Sequence, residues 1–179
     1  MSGHYGAVRK VELFDDGTIK SVFFLENGRL NRLEGPAAEV FYNDGSTRLI
    51  EYWQHGNLHK LNGPAKRRFH NNGNIEKEIY YVDFNLHRLD GVAYSEFYED
   101  GTPACLEYWI YHKLHNLKGP AIEKQCENGN KTFEFYVNGK KCEESRVKSI
   151  SSRLYNYAKM YLKRKHDGPE KLHSHMKQN

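Results

Sequence analysis

A fixed step of 28 residues constrains this chain more than any other feature of its sequence. The stretch Leu58–Ala65 (LHKLNGPA) returns as Leu86–Ala93 (LHRLDGVA) and as Leu114–Ala121 (LHNLKGPA), and a diverged copy precedes them at Leu30–Ala37 (LNRLEGPA). The glycines of this motif, Gly35, Gly63, Gly91 and Gly119, keep the step without slippage. So do a second glycine series, Gly17, Gly45, Gly73, Gly101 and Gly129, and an aromatic column, Phe24, Tyr52, Tyr80, Tyr108 and Tyr136. Columns in phase identify a repeat array, in which each unit buries its apolar face only against its neighbours.

The array divides into five units, 8–35, 36–63, 64–91, 92–119 and 120–147, after a flexible lead-in at 1–7. In the second unit a β-prone stretch, Pro36–Tyr42, runs into the turn Asn43–Ser46, and a longer strand, Arg48–Trp53, follows. Asp-Gly or Asn-Gly between such runs marks a hairpin, and glycine there in every copy fits a position of positive φ. A second turn carries Gly28 and Gly56 in units one and two but Phe84 and His112 in units three and four, which predicts a less demanding turn. The connector Leu58–Gly63 then returns the chain, and its two leucines are expected to tuck under the sheet. The fold class that follows is all-β: an elongated, solenoid-like antiparallel meander of ten strands in a single sheet. At about 4.8 Å per strand it would be roughly 45 Å long. Stacked aromatics are expected to supply the core. Tyr52, Tyr80 and Tyr108 adjoin Trp53, Tyr81 and Trp109, and neighbours on a strand face opposite sides.

Unit five decays: Gly139 comes one residue early, and Lys140–Glu144 replaces the leucine connector, as terminal repeats often do. A capping helix is predicted over 148–166, with Ser149 as its N-cap and Ile150, Leu154, Tyr157, Ala158, Tyr161 and Leu162 on one face. It would cover the open edge of the last hairpin. Residues 167–179 read as a disordered tail.

The net charge of +4 is unevenly placed. Residues 1–146 hold 19 Lys and Arg against 21 Asp and Glu, whereas residues 147–179 hold 8 against 2. The basic end either meets an acidic partner or simply solvates the helix and tail. Three cysteines at unrelated repeat offsets, Cys105, Cys126 and Cys142, do not describe a disulfide framework, so a reducing, intracellular compartment is expected. No signal peptide and no apolar run long enough to span a bilayer is visible, so no transmembrane insertion is expected.

His59, His87 and His115 form a further column, with Asn31 in the first unit. Side chains two strands apart lie roughly 9–10 Å from each other. One zinc ion needs its nitrogens at about 2.0–2.1 Å. The column therefore reads as structural, each imidazole bonding to backbone within its own connector. Glu51 and Glu107 recur at one offset and read as exposed strand positions, not as an acid–base pair. No phosphate-cradling loop or nucleophile elbow is present. No catalytic residue, metal or cofactor is expected.

The glycine-turn hairpin with its Leu-His-Arg-Leu-Asp-Gly-Pro-Ala connector resembles the MORN-like repeats of bacterial and giant-virus proteins. The standard MORN unit has Tyr/Phe-x-Gly followed by His-Gly-x-Gly. Here the unit is longer and the histidine precedes Lys, Arg or Asn, so the likeness is to the extended relatives, over residues 8–146. The resemblance implies a viral origin, a place in the virion or the infected cell, and no catalytic residues.

Two functions fit these residues. The first is a non-enzymatic scaffold for protein–protein association or self-association, with a homodimer as one arrangement. Its sheet would present Trp53, Trp109 and Tyr81, which serve either as interface anchors or as core. The second is binding of nucleic acid or another anionic surface through Lys159, Lys163, Arg164 and Lys165.

Overall fold

The computed structural model describes residues 7–166, with side chains to residue 160. The lead-in expected at 1–7, apart from Ala7, and the tail expected at 167–179 lie outside the described residues. The chain is one antiparallel meander followed by one helix. Ten strands, two per repeat, pair in chain order: Val8–Leu13, Ile19–Glu26, Ala38–Phe41, Thr47–Glu51, Lys66–Phe69, Ile75–Ile79, Tyr94–Phe97, Pro103–Glu107, Ile122–Gln125 and Lys131–Val137. Lys140–Cys142 continues the path and Arg29–Leu30 pairs beside it.

The first turn of each unit is a three-residue loop closed by glycine. Gly45 donates to Tyr42 O, and the φ of Gly17, Gly45, Gly73, Gly101 and Gly129 lies between 82° and 85°. The residue before the glycine locks the one after it: Asp44 Oδ1 accepts from Ser46 N at 2.8 Å and from Ser46 Oγ at 2.6 Å. Asp16 holds Thr18 and Asp100 holds Thr102 in the same way.

The second turn is not relaxed in units three and four. It is a two-residue turn with positive φ at both central positions in all five units, the I′ geometry that matches strand twist. Asn27-Gly28, His55-Gly56 and Asn138-Gly139 adopt it with glycine second, whereas Asp83-Phe84 (φ 46° and 66°) and Tyr111-His112 (φ 46° and 57°) adopt it without. In units two to four these turns close small ladders outside the main sheet, such as Trp53–Gln54 with Asn57–Leu58. The small hairpins form a second column bonded to its neighbours. Lys60 N donates to Tyr81 O at 3.0 Å and Arg88 N to Trp109 O at 3.1 Å, and Gly56 N donates to Leu30 O at 2.9 Å.

The core differs from the expected aromatic one. Ala37, Ala65, Ala93 and Ala121 are each 0% exposed, and no large side chain among the described residues is fully buried. Each alanine sits where the ladder and the hairpin column meet: Ala65 accepts from Tyr52 N and donates to Ile79 O. The first three members of the aromatic column pack under cations, not ring on ring. Arg32 lies 3.8 Å from the Phe24 ring centre, Lys60 lies 3.5 Å from Tyr52 and Arg88 lies 4.1 Å from Tyr80. The close ring pairs among the described residues are Tyr81–His112 and His87–Tyr111.

The helix runs Glu144–His166, so it starts earlier than expected and Ser149 lies inside it, not at its cap. Glu144 in its first turn suits the positive end of the helix dipole and pairs with Lys148 at 2.7 Å. Val147 is buried and Ser151 Oγ donates to Leu117 O, but Leu154, Tyr155, Tyr157 and Met160 are exposed. The helix therefore closes the array through its first three turns, where Val147, Ser151, Leu154 and Tyr155 line one groove with Leu117 and Phe135, and Tyr157 and Met160 beyond it are exposed. No described helix is long and apolar enough to cross a membrane.

Candidate interaction surface

The connectors separate their two leucines. Leu86 is buried and Leu30, Leu58 and Leu114 are half-buried, but Leu33, Leu61 and Leu89 are 73%, 73% and 72% exposed. The expectation that both tuck under the sheet fails at the second leucine, and local geometry gives the reason. The residue before it folds inward over the aromatic ring; Arg32 and Arg88 also donate from an η nitrogen to Pro36 O and Val92 O, both at 3.1 Å. The next side chain must then point outward. The fourth copy, Leu117, is only half-buried because the helix lies on it: Leu117, Pro120, Phe135, Val147 and Ser151 line one groove. Glu34 and Asp90 stand exposed beside Leu33 and Leu89, whereas Lys118 follows Leu117.

The anchors expected on the sheet are half-buried. Trp53 Nε1 donates to Glu51 at 2.9 Å and Trp109 Nε1 donates to Glu107 at 2.7 Å. Tyr81 packs edge-on against His112 at 6.1 Å between ring centres. Glu51, read from sequence as exposed, is buried, with its other oxygen 2.8 Å from Lys66 Nζ, and Glu107 is half-buried.

Neither sheet face is broadly apolar. Glu51, Lys66, Ile79, Tyr94 and Glu107 stand in register on one face, and Ile50, Arg67, Glu78, Ser95 and Leu106 on the other. Arg67 and Glu78 pair at 2.5 Å, Arg68 and Glu76 at 2.6 Å, and Lys77 and Glu96 at 2.6 Å. Neither face therefore offers a second sheet an apolar surface to cover. Beside this cluster, burial and hydrogen bonding to Glu96 push the Tyr94 hydroxyl up to about 12. Burial and neighbouring Glu107 push the Cys105 thiol up to about 11.

The histidine column bonds between repeats, not within its connectors. His59 Nδ1 accepts from Asp83 N at 3.2 Å and His115 Nδ1 from Asn138 N at 3.1 Å; Asn31 Oδ1 takes the same role toward His55 N at 2.8 Å. Among the described residues no three His, Cys, Asp or Glu side chains converge. Lys159 is exposed on the free part of the helix; Lys163, Arg164 and Lys165 lie in the helix, but their side chains are outside the described residues.

The sequence reading missed the exposed leucines and two aromatic tips, Phe84 and Tyr111, both exposed on I′ turns. The available signal for the leucines was their place in a polar, glycine-ended connector. The signal for the tips was the loss of glycine from a turn that otherwise keeps it. A scan against protein-family models finds no match to this chain, and a search of curated proteins finds none.

Proposed function

We propose that this chain is a non-enzymatic repeat scaffold that associates with protein, and first with its own copy. The observation that carries this reading is the row Leu33, Leu61 and Leu89, nearly fully exposed at one equivalent position in successive repeats. Scattered exposed leucines are ordinary, but an ordered apolar row with charged neighbours marks an interaction surface. The MORN-like likeness of the connectors and a role as a virion component belong to the same reading and rest on the connector residues alone.

Light scattering on a sizing column tests it, at low and high salt, with and without nucleic acid. A species of at least twice the chain mass that survives high salt is expected. A monomer that shifts only with nucleic acid, and only at low salt, would move the function to Lys159 and the basic end, since phosphate binding weakens steeply with salt.

A further inference from the structure

Among the described residues lie two exposed apolar surfaces, and the fold has already joined their ends. The first is the leucine row, of which Leu117 is the covered member and Leu89, Leu61 and Leu33 the uncovered ones. The second is the helix stripe. Val147 is buried, Ile150 is half-buried, and Leu154, though 53% exposed, still lines the groove with Leu117 and Phe135, while Tyr157 (68% exposed) and Ala158 continue the same stripe into solvent. These positions recur at the three- and four-residue spacing of a single helix face.

We infer that the free half of this helix docks on the Leu33–Leu61–Leu89 row of a second copy, reciprocally. This rests on the self-association reading above. The docked half of the helix supplies the precedent: it sits on the last connector, whose leucine and backbone carbonyl are equivalent to those exposed at 33, 61 and 89. The spacing fits too. Successive repeats lie about 9–10 Å apart, and seven residues of helix rise about 10.5 Å. A helix laid along the row thus meets one leucine per seven residues.

Charge favours the same occupant. The uncovered row carries exposed Glu34 and Asp90, and the free helix carries exposed Arg153 and Lys159. The helix of the same chain does not cover its own row beyond Leu117, as the exposure of Leu89 shows. A two-fold arrangement lets each copy give a helix and receive one, which closes the assembly at a dimer.

The test compares the full chain with two variants, Leu33→Gln/Leu61→Gln/Leu89→Gln on the row and Tyr157→Gln/Ala158→Gln on the helix. All five positions are exposed, so circular dichroism should show unchanged folding. The expected result is a dimer for the unaltered chain and a monomer for each variant, read by light scattering at equal concentration. An unaltered chain that stays monomeric throughout overturns the self-association reading and this inference with it. A dimer that persists in either variant leaves self-association standing and overturns the helix-on-row contact. A shift seen only on adding nucleic acid at low salt also overturns it.

Discussion

His87 Nδ1 accepts the backbone N–H of Tyr111, 3.2 Å away and 24 residues further along the chain. The bond ties one repeat's connector to the I′ turn of the next repeat, and its ring also lies 4.3 Å from that of Tyr111. An imidazole can accept here only with Nδ1 unprotonated. His87→Ala should destabilise the array by about 0.5–1.5 kcal/mol, because it removes a part-buried hydrogen bond between repeats. His87→Asn should cost clearly less, since Asn31 does the same work toward His55 in the first repeat. Urea unfolding midpoints of the two variants check the ranking; equal losses would contradict it.

Phe84 holds φ at 66° in a turn where repeats one, two and five place glycine. The left-handed region costs a non-glycine residue roughly 1–2 kcal/mol, partly offset by the greater freedom of glycine in the unfolded chain. Phe84→Gly should therefore stabilise the protein by about 0.5–1 kcal/mol. Thermal unfolding measures this, and a fall in midpoint would show that the exposed ring contributes more than the strain removes.

Lys77 and Glu96 pair at 2.6 Å across neighbouring strands of adjacent repeats. Burial opposes the charge on Glu96, but hydrogen bonds from Lys77 and Tyr94 overcome it and hold its carboxyl below the usual range. Burial likewise opposes the charge on Lys77, and bonding to Glu96 and Tyr94 still raises it. A lowered carboxyl stabilises the fold above its unfolded pKa and ceases to do so as pH falls through the folded value. The raised ammonium contributes below its unfolded pKa and is lost only in strong alkali. Glu96→Gln should cost no more than about 1 kcal/mol at neutral pH, given partial exposure. That difference should vanish in acid below the ordinary glutamate range, as urea midpoints taken across pH would show.

Cys105 is buried, with its thiol raised to about 11, whereas Cys126 is exposed. The thiolate is the reactive form. Iodoacetamide at neutral pH should modify Cys126 well before Cys105, as peptide mass spectrometry would read. Equal rates would mean that the fourth repeat opens readily.

The repeat period, the two turns per unit and the meander were legible because three glycine and aromatic columns kept one step. What the columns could not reveal was direction. The second connector leucine looks like core in the sequence, yet Lys60 and its equivalents take the inward place over Tyr52 and leave Leu61 outside. Alanine at 65 carries no signal of its own, although the tightest packing falls there. Phe84 and His112 read as a relaxed turn because residue type reports preference, whereas the stacking of neighbours imposed the same I′ geometry on all five units. The helix start was misplaced by treating Ser149 as a cap; Glu144 begins it, and the fifth repeat gives up its connector to the first helical turn.

The most direct measurement is a cross-link between copies. One protein would carry Leu61→Cys and the other Tyr157→Cys, both in a background with Cys105→Ala, Cys126→Ser and Cys142→Ser. A short bis-maleimide added to the mixture should give a covalent pair containing one chain of each kind, and little product from either protein alone. Absence of that mixed pair, at a concentration where light scattering shows a dimer, would contradict docking of the helix of one copy on the leucine row of the other.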